Sequence, residues 1–535
     1  MLIAKLESTL RDFPKRPALH VQDHVYSYNE LFGCAKFIAK EIEQKLEKNA
    51  VLVFSKKTFI GYSNILASFY TGKTYIPINP SFPVEKLKSI IHQSGSKNIL
   101  IDESCLDECI QLLTAHDNPL NVFFVGHSNS FDQFTKTMPP FHRLNHIELS
   151  AENVALFESQ QLTPIQTASK DSIAYIMFTS GSTGLPKGVP VSHENLVAYL
   201  DHIKKLYSFS EHDRHSQFFE FTFDLSMHDL MVCWTTGGCL FAANEFAKLM
   251  PVQFAEKHQL SVWFSVPSQI TSARAIMKDK FDNLSLPALR HSLFCGEALP
   301  SSTVSTWRKI APHSTIDNLY GPTEATIAFT LFRCTDSLND EHNVQPVVPI
   351  GKPFEGNRIL IVDDSLDPVR PGEVGELCLL GPQVVNEYWN DLNNTLKSFF
   401  RIQQSKTKMS SVYRTGDRVH QDQYGILHFH GRQDHQIKIR GYRIELQEIE
   451  FRIRECTGAG HVAVIPFPLG ENNEAQGLVA FYSQCKISKS KIIENCQNHL
   501  PDYMVPDQIH ELSELPLNSN GKIDRTALSN KVEKV

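Results

Sequence analysis

No apolar run in the chain approaches the ~18 residues of a membrane span, so membrane insertion is not expected. Basic residues are not in excess. The 52 Lys and Arg stand against 59 Asp and Glu, and the resulting charge of −7 argues against a general nucleic-acid binder. Eleven cysteines form no CxxC pair. Cys105 and Cys109 are the nearest two, without a second pair or a histidine partner, so reduced thiols are expected rather than a zinc site or disulfides. Histidines are many but follow no HExxH pattern, and His212 and His215, in a polar stretch, read as surface residues. The first residues, Met1-Leu-Ile-Ala-Lys-Leu-Glu-Ser8, bring in charge early, unlike a secretory signal, and point to a cytoplasmic protein. Repeats and low-complexity tracts are also absent.

At 535 residues the chain exceeds what one core organises, so two or more domains are expected. Short β-rich runs (Val51–Phe54, Thr74–Ile78, Asn98–Asp102, Val122–Val125) alternate with helical spacing, as in Glu85–Ser94. That alternation predicts α/β layering with parallel strands. From about Pro349 the pattern becomes short strands between Gly, Pro and Asp turns (Ile359–Val362, Gly375–Leu380, Gly425–Phe429), as in a small β-barrel or meander. After the polar stretch Gly431–His435 comes a compact unit with strands Gln436–Ile439, Val462–Ile465 and Gly477–Phe481 and helices Glu448–Cys456 and Ser488–Leu500. The fold class predicted is α/β: a large N-terminal domain over 1–433 with layered subdomains and a β-barrel-like subdomain, then a small α+β domain over 434–535.

Phe178-Thr-Ser-Gly-Ser-Thr-Gly-Leu-Pro-Lys-Gly188 follows the strand-like run Ile173–Phe178. It offers backbone N–H groups, hydroxyls and the Lys187 cation to an anion such as a polyphosphate. It is not a Walker loop, because Gly188 follows Lys187 and the glycine spacing differs. A flexible connection is the alternative. Asn318-Leu-Tyr-Gly-Pro-Thr-Glu-Ala-Thr326 supplies an aromatic face, a hydroxyl and a carboxylate, the parts needed to stack a purine, touch a phosphate and hold magnesium. Tyr413-Arg-Thr-Gly-Asp417 puts a carboxylate on a turn, and Asn518-Ser-Asn-Gly-Lys-Ile-Asp524 puts Lys522 on a polar loop.

These segments, in this order, resemble the motif set of the adenylate-forming superfamily, which includes acyl-CoA synthetases, luciferases and the adenylation domains of nonribosomal peptide synthetases. Tyr75–Pro83, Gly375–Gly381, Gly431–Glu445 and Leu500–Pro506 extend the resemblance from about residue 20 to 530. It implies ATP and Mg²⁺ as cofactors, with an acid attacking the α-phosphate and a thiol then taking the acyl group. On this resemblance Thr179, Ser180, Gly181, Ser182, Thr183, Gly184 and Lys187 embrace the departing phosphates. Thr323 contacts the α-phosphate and Glu324 helps bind Mg²⁺. Asn318 and Tyr320 hold the adenine, with Gly296, Glu297, Ala298 and Gly321 around the nucleotide, while Asp417 and Arg432 hold the ribose. Lys522 bridges carboxylate and phosphate as the strongest catalytic candidate, with Thr323 and Glu324 beside it. The small domain is expected to swing about Asp434, bringing Lys438 to Gly441 to the site, with Gly441 leaving room for a pantetheine arm.

Phe221-Thr-Phe-Asp-Leu-Ser-Met-His228 bears on the acid. In amino-acid-activating members an Asp at the position of Asp224 pairs with the substrate ammonium, which buried without a partner would be costly; a turn or helix-capping Asp is the alternative. Together with Phe294-Cys-Gly-Glu297 and Tyr320–Thr326, it looks most like the D-alanine–D-alanyl carrier protein ligases and free-standing peptide-synthetase adenylation enzymes. The resemblance makes Asp224, Leu225, His228, Ser265, Leu293, Cys295 and Leu319 the substrate pocket. His228 departs from it, since those ligases carry an apolar Met there; wall packing and a substrate contact both remain open, and a contact would admit a polar or acidic small amino acid. Only about ten residues follow Arg525, so no carrier domain is expected in the chain, and the thiol comes from a separate phosphopantetheinylated carrier protein. The expectation is a monomeric ligase loading a small amino acid. An acyl-CoA synthetase using free CoA and a catalytically inactive homologue are the alternatives.

Overall fold

The computed structural model describes residues 2–47, 50–150, 168–181, 184–335, 346–405, 408–434, 436–459, 461–470, 475–483, 487–517 and 523–532. They fall into two compact units. The first comprises Met1–Pro80, Ile91–Met177 and Gly188–Gly431; the second comprises Arg432–Val535 together with Ser81–Ile90 and Phe178–Lys187. The second unit thus takes in two segments that a contiguous division at 433/434 leaves with the first.

The first unit is built on three sheets. In a seven-stranded sheet the order runs Arg143–Glu148, Asn121–Gly126, Asn98–Asp102, Ala50–Phe54, Thr74–Ile78, Ile173–Thr179 and Lys187–Ser192, with parallel pairing from the first to the sixth. Its central strands are apolar on both faces, as a sheet covered on both sides requires. Helix Tyr28–Glu43 begins with a capping box in which Ser27 Oγ accepts from Glu30 N and Glu30 Oε2 accepts from Ser27 N.

A nine-stranded sheet is parallel at its centre and antiparallel at its ends. Strands Arg214–Gln217, Val262–Ser265, His291–Phe294 and Thr315–Tyr320 run side by side in parallel. Their register aligns Ser265 with Phe294 and Phe294 with Asn318, so at their carboxyl ends Val262–Ser265 and His291–Phe294 finish level and Thr315–Tyr320 runs two residues past them. In open α/β sheets that rim is where ligands bind. The third sheet is antiparallel and five-stranded: Arg358–Val362, Gly375–Leu380, Lys408–Gln421 and Phe399–Ser405, with Leu427–Arg432 on Lys408–Gln421. No described helix is long and apolar enough to cross a membrane.

The second unit pairs Gln436–Ile439 with Tyr442–Glu445 in a hairpin, followed by helix Leu446–Thr457. A three-stranded sheet of Val462–Pro466, Leu478–Ser483 and Gln508–Leu512 completes it with helices Lys489–His499 and Arg525–Val532. Leu446, Ile449 and Ile453, one face of the first helix, join its core.

His215 corrects the sequence reading. Its neighbour His212 is exposed, but His215 lies on a central strand, 1% exposed, and burial pushes its imidazole down to about 4 against the opposing charge of Asp213. The ten described cysteines are free thiols.

Asp317 anchors the strand that leads to the rim. Fully buried, it accepts from Arg333 Nε and Nη2, each at 2.9 Å, and from Tyr207 Oη at 2.7 Å. Asp317→Ala leaves the other partners unsatisfied and is expected to destabilise the protein by about 3 kcal/mol, read from urea unfolding at neutral pH.

Candidate functional site

The strand ends at this rim carry the predicted residues. Val262–Ser265 alternates, so Phe264 and Ser265 point to opposite faces. Phe264, Leu293, Cys295, Leu319 and Leu225 belong to one buried cluster, whereas Trp263 and Phe294 belong to another. Ser265 Oγ accepts from Trp263 Nε1 at 2.8 Å and donates to Val266 O at 3.0 Å. Its polar group is therefore engaged on the Trp263 side, and Phe264, which no motif singles out, presents its ring to His228 with centroids 4.3 Å apart.

Asp224 precedes helix Leu225–Thr236 at the N-cap position, but its backbone is helical and its side chain makes no cap hydrogen bond. The capping role is excluded. The carboxylate is 7% exposed, and its Oδ2 accepts from Ile327 N at 3.2 Å. Burial pushes its pKa up to about 6, against the pull of the Ile327 N–H and the Thr323 hydroxyl and with the Glu324 charge adding to the rise. No lysine or arginine pairs with it among the described residues. A carboxylate desolvated to this degree is short of one strong donor or cation.

One turn along the helix, His228 is 1% exposed. Its Nδ1 lies 2.7 Å from Tyr199 Oη, and its Nε2 has no hydrogen-bond partner among the described residues. Burial holds the imidazole down at about 3, so it is neutral. Gly296, at φ 93°, sits where a Cβ would lie 3.2 Å from Val266 Cγ1 and 3.6 Å from Leu225 Cδ1. Glu297 accepts from Ser268 N and Oγ at 2.9 and 3.0 Å, which caps helix Pro267–Met277, and Ala298 beside it is exposed.

The loop after Thr315–Tyr320 gathers the nucleotide candidates of this unit. Asn318 Nδ2 donates to Pro349 O at 2.9 Å, while its Oδ1, buried, has no partner among the described residues. Tyr320 Oη donates to Asp417 Oδ2, which joins two residues 97 positions apart. Gly321 admits no side chain, because a Cβ would lie 2.7 Å from Ala328 Cα. Thr323 is half-buried, and Glu324, fully buried, accepts from Tyr388 Oη at 2.7 Å. Among the described residues no group of three or more His, Cys, Asp or Glu could hold a metal.

In the second unit the Gly/Ser/Thr loop meets the hairpin and its helix. Ser180 Oγ donates to Arg443 O at 2.7 Å and accepts from Glu445 N at 3.3 Å. Gly181 N donates to Glu448 Oε2 at 3.3 Å, and Lys187 Nζ lies 3.5 Å from Glu445 Oε1. At Gly184, φ 80°, a Cβ would meet the Phe451 ring at 2.5 Å. Thr179 is half-buried; Ser182, Thr183 and Lys522 lie outside the described residues. Arg432 grips Asp434 through Nε and Nη2 at 2.7 and 2.6 Å. Burial would raise the Asp434 carboxyl, but the Arg432 hydrogen bonds and charge outweigh it and hold the pKa below the ordinary value. Lys438 lies on the hairpin, and Arg440 and Gly441, at φ 51° and 81°, form its two-residue turn, the sign pattern of a type I′ turn.

A family model described as AMP-binding enzyme matches residues 6–389. The chain is 28% identical to the D-alanine--D-alanyl carrier protein ligase of Bacillus anthracis, over 99% of each. It is 32% identical to the solved Vibrio cholerae adenylation domain AlmE in complex with glycyl-adenosine-5'-phosphate, with a TM-score of 0.88 over 100% of this chain and 98% of that one. The solved structure of IdnL7 is 28% identical, with a TM-score of 0.70 over 99% and 98%.

Because the Asp224 pKa is raised on folding to about 6, the native state holds more protons than the unfolded chain between the ordinary carboxyl value and that pH. Stability therefore falls as pH rises through this window, and the full cost is present above it. Asp224→Asn is expected to be more stable than the parent at pH 8 by about 2 kcal/mol, an advantage that disappears on acidification, as read from urea unfolding at the two ends.

Proposed function

Since the chain belongs to the AMP-binding enzyme family and its ligase-named relatives mark it as an AMP-forming ligase, we propose that it activates glycine, or an amino acid little larger, as aminoacyl-AMP. The aminoacyl group then passes to the phosphopantetheine thiol of a separate carrier protein. The single observation that carries this reading is Asp224, a buried carboxylate without a basic partner among the described residues, which a substrate ammonium completes. The D-alanine specificity in the names of the Bacillus ligases and the glycyl-adenylate of the Vibrio structure support a small substrate.

In this mechanism the amino acid's ammonium docks on Asp224, its Cα region against Leu225, Phe264, Leu293, Cys295 and Leu319. Asn318 Oδ1, an acceptor without a partner, takes the exocyclic amino group of adenine, Tyr320 stacks on the base, and Asp417 and Arg432 hold the ribose. Thr179, Ser180, Ser182, Thr183 and Lys187 bind the β- and γ-phosphates. A substrate carboxylate oxygen attacks the α-phosphorus; the bond to the β-phosphate oxygen breaks and pyrophosphate leaves. Thr323 and Lys522 steady the charge on the α-phosphate, which is where positioning and electrostatics supply the catalysis. Bound Mg²⁺ neutralises phosphate charge. Glu324 with phosphate oxygens is a fitting donor set, since Mg²⁺ is commonly held by one or two carboxylates plus the nucleotide. In the second step the carrier thiolate attacks the acyl carbonyl and AMP departs, with residues 434–535 acting as a mobile lid pivoting at Asp434 and Lys438 to Gly441 flanking the pantetheine. The enzyme works as a monomer in the cytoplasm.

Amino-acid-dependent ATP–pyrophosphate exchange tests the reading. Glycine is expected to give the highest kcat/KM, followed by alanine; exchange with fatty acids but not amino acids would overturn it. Asp224→Asn is expected to lower kcat/KM for the amino acid by roughly 100-fold or more. With the parent enzyme, kcat/KM should fall about tenfold per pH unit below the Asp224 pKa of about 6, because only the carboxylate form pairs with the ammonium. Lys522→Ala should abolish exchange and leave ATP binding largely intact by calorimetry; unchanged exchange removes Lys522 from its role.

A further inference from the structure

Thr326 and Ile327, consecutive and both β-branched, have φ of 57° and 71°. Left-handed backbone is unfavourable for such residues and persists only where the surroundings over-determine it. Gln383, 0% exposed, supplies that determination. Its Nε2 donates to Ala328 O at 2.7 Å and lies 3.4 and 3.3 Å from the carbonyl oxygens of Ala325 and Thr326. Its backbone oxygen accepts from Thr326 Oγ1 at 2.6 Å. Its Oε1 accepts from Asn357 Nδ2 at 2.7 Å, which fixes the amide orientation. Two residues on, Val385 N donates to Glu324 O at 2.9 Å. The far side of this left-handed turn is the Ile327 N–H that reaches Asp224.

We propose that Gln383, oriented by Asn357, is a positioning residue that holds the Thr326–Ile327 turn in its left-handed form, so that the Ile327 N–H supports the Asp224 carboxylate while it receives the substrate ammonium. Gln383 touches neither Asp224 nor the reacting atoms; it acts through the backbone. This rests on the reading of Asp224 as the ammonium partner. The groups facing Asp224 are Glu324 and Thr323 on the loop, Tyr175 on the seven-stranded sheet and Tyr199 on helix His193–Leu206. Both phenols are pushed well above their ordinary value by burial and stay neutral, and the Glu324 charge opposes ionisation of Asp224. The Ile327 N–H, the Thr323 hydroxyl and the Leu225 N–H are what favour the carboxylate form. Loss of the clamp therefore moves Asp224 toward its protonated form.

The test uses the full chain, with Gln383→Met, which keeps side-chain length and removes the donors, and amino-acid-dependent ATP–pyrophosphate exchange measured across pH. The expected result is an acid limb of kcat/KM displaced upward by about half a unit or more. KM for the amino acid should rise about tenfold while KM for ATP stays within about twofold. An unmoved limb, or amino-acid and ATP KM values that change in proportion, overturns the proposal, since a purely structural role does not shift the titration of one carboxyl. Should Gln383→Met not fold, Asn357→Ala, which leaves the glutamine in place, carries the test with a smaller shift in the same direction expected and an unmoved limb again decisive against it. Asp224→Asn run in parallel separates the two levels. If it leaves the amino-acid KM unchanged, the ammonium reading fails and this proposal with it; if it abolishes exchange while the Gln383 and Asn357 variants match the parent, the positioning role alone fails.

Discussion

A carboxylate removed from water and left with few donors sets the terms for the rest of this molecule. Asp224 sits at a helix start without capping it, and its pKa is driven up by burial. Part of its backbone support comes from a residue in the left-handed region, 103 positions along the chain. A site of this kind cannot be assembled locally. It needs the parallel strands in register at Ser265, Phe294 and Asn318, the Gly321 turn to fold back against Ala328 with no room for a Cβ, and Gln383 to fill the inside of the loop. On the proposed reading, the desolvation that raises the Asp224 pKa is what gives a substrate ammonium its value there, the familiar opposition of stability and function.

The Gly/Ser/Thr loop shows a related economy of donors. Ser180, Gly181 and Lys187 are engaged by Arg443, Glu445 and Glu448, residues of one hairpin and the helix that follows it. The groups proposed to bind phosphates are thus matched here to a backbone carbonyl and two carboxylates. An oxygen-rich surface of the hairpin segment satisfies the same N–H, hydroxyl and ammonium groups that a polyphosphate would, and the two ligands exclude each other on this loop. Arg432, proposed for the ribose, is likewise held in a two-point grip by Asp434. If the loop and Arg432 bind nucleotide as proposed, that binding and rearrangement of these contacts are coupled by competition for shared donors.

Much of the fold was legible in the sequence. The β-rich runs fell where strands Ala50–Phe54, Thr74–Ile78 and Asn98–Asp102 lie, and the AMP-binding match over 6–389 agrees with the motif order, because glycine turns and apolar strands are written locally. What escaped was decided by tertiary placement. His215 sits in a polar stretch yet lies on a central strand, buried together with Asp213 and Ser216 while Arg214 is exposed. Ser265 and Phe264 are adjacent, and only the pleat determines which faces His228. Gln383 carries no chemical signature; its importance arises from three carbonyls of another segment that converge on one amide.

His228 bears on the proposed substrate through its protonation state. The sequence left open an acidic side chain paired with this imidazole. Burial holds its pKa at about 3, and its Nδ1 is already taken by Tyr199. A neutral ring cannot compensate the desolvation of a second substrate carboxylate, which without a counter-charge costs several kcal/mol. What His228 can offer is the single unpartnered Nε2 and ring area packed on Phe264. Aromatic volume discriminates against longer side chains through the work of displacing it, whereas one methylene alone is worth only about 1–3 kcal/mol. On the proposed reading, with Asp224 as the charged anchor and His228 and Phe264 as occupied volume, selection rests on the ammonium for class and on the absence of a side chain for identity, which favours glycine over any larger amino acid.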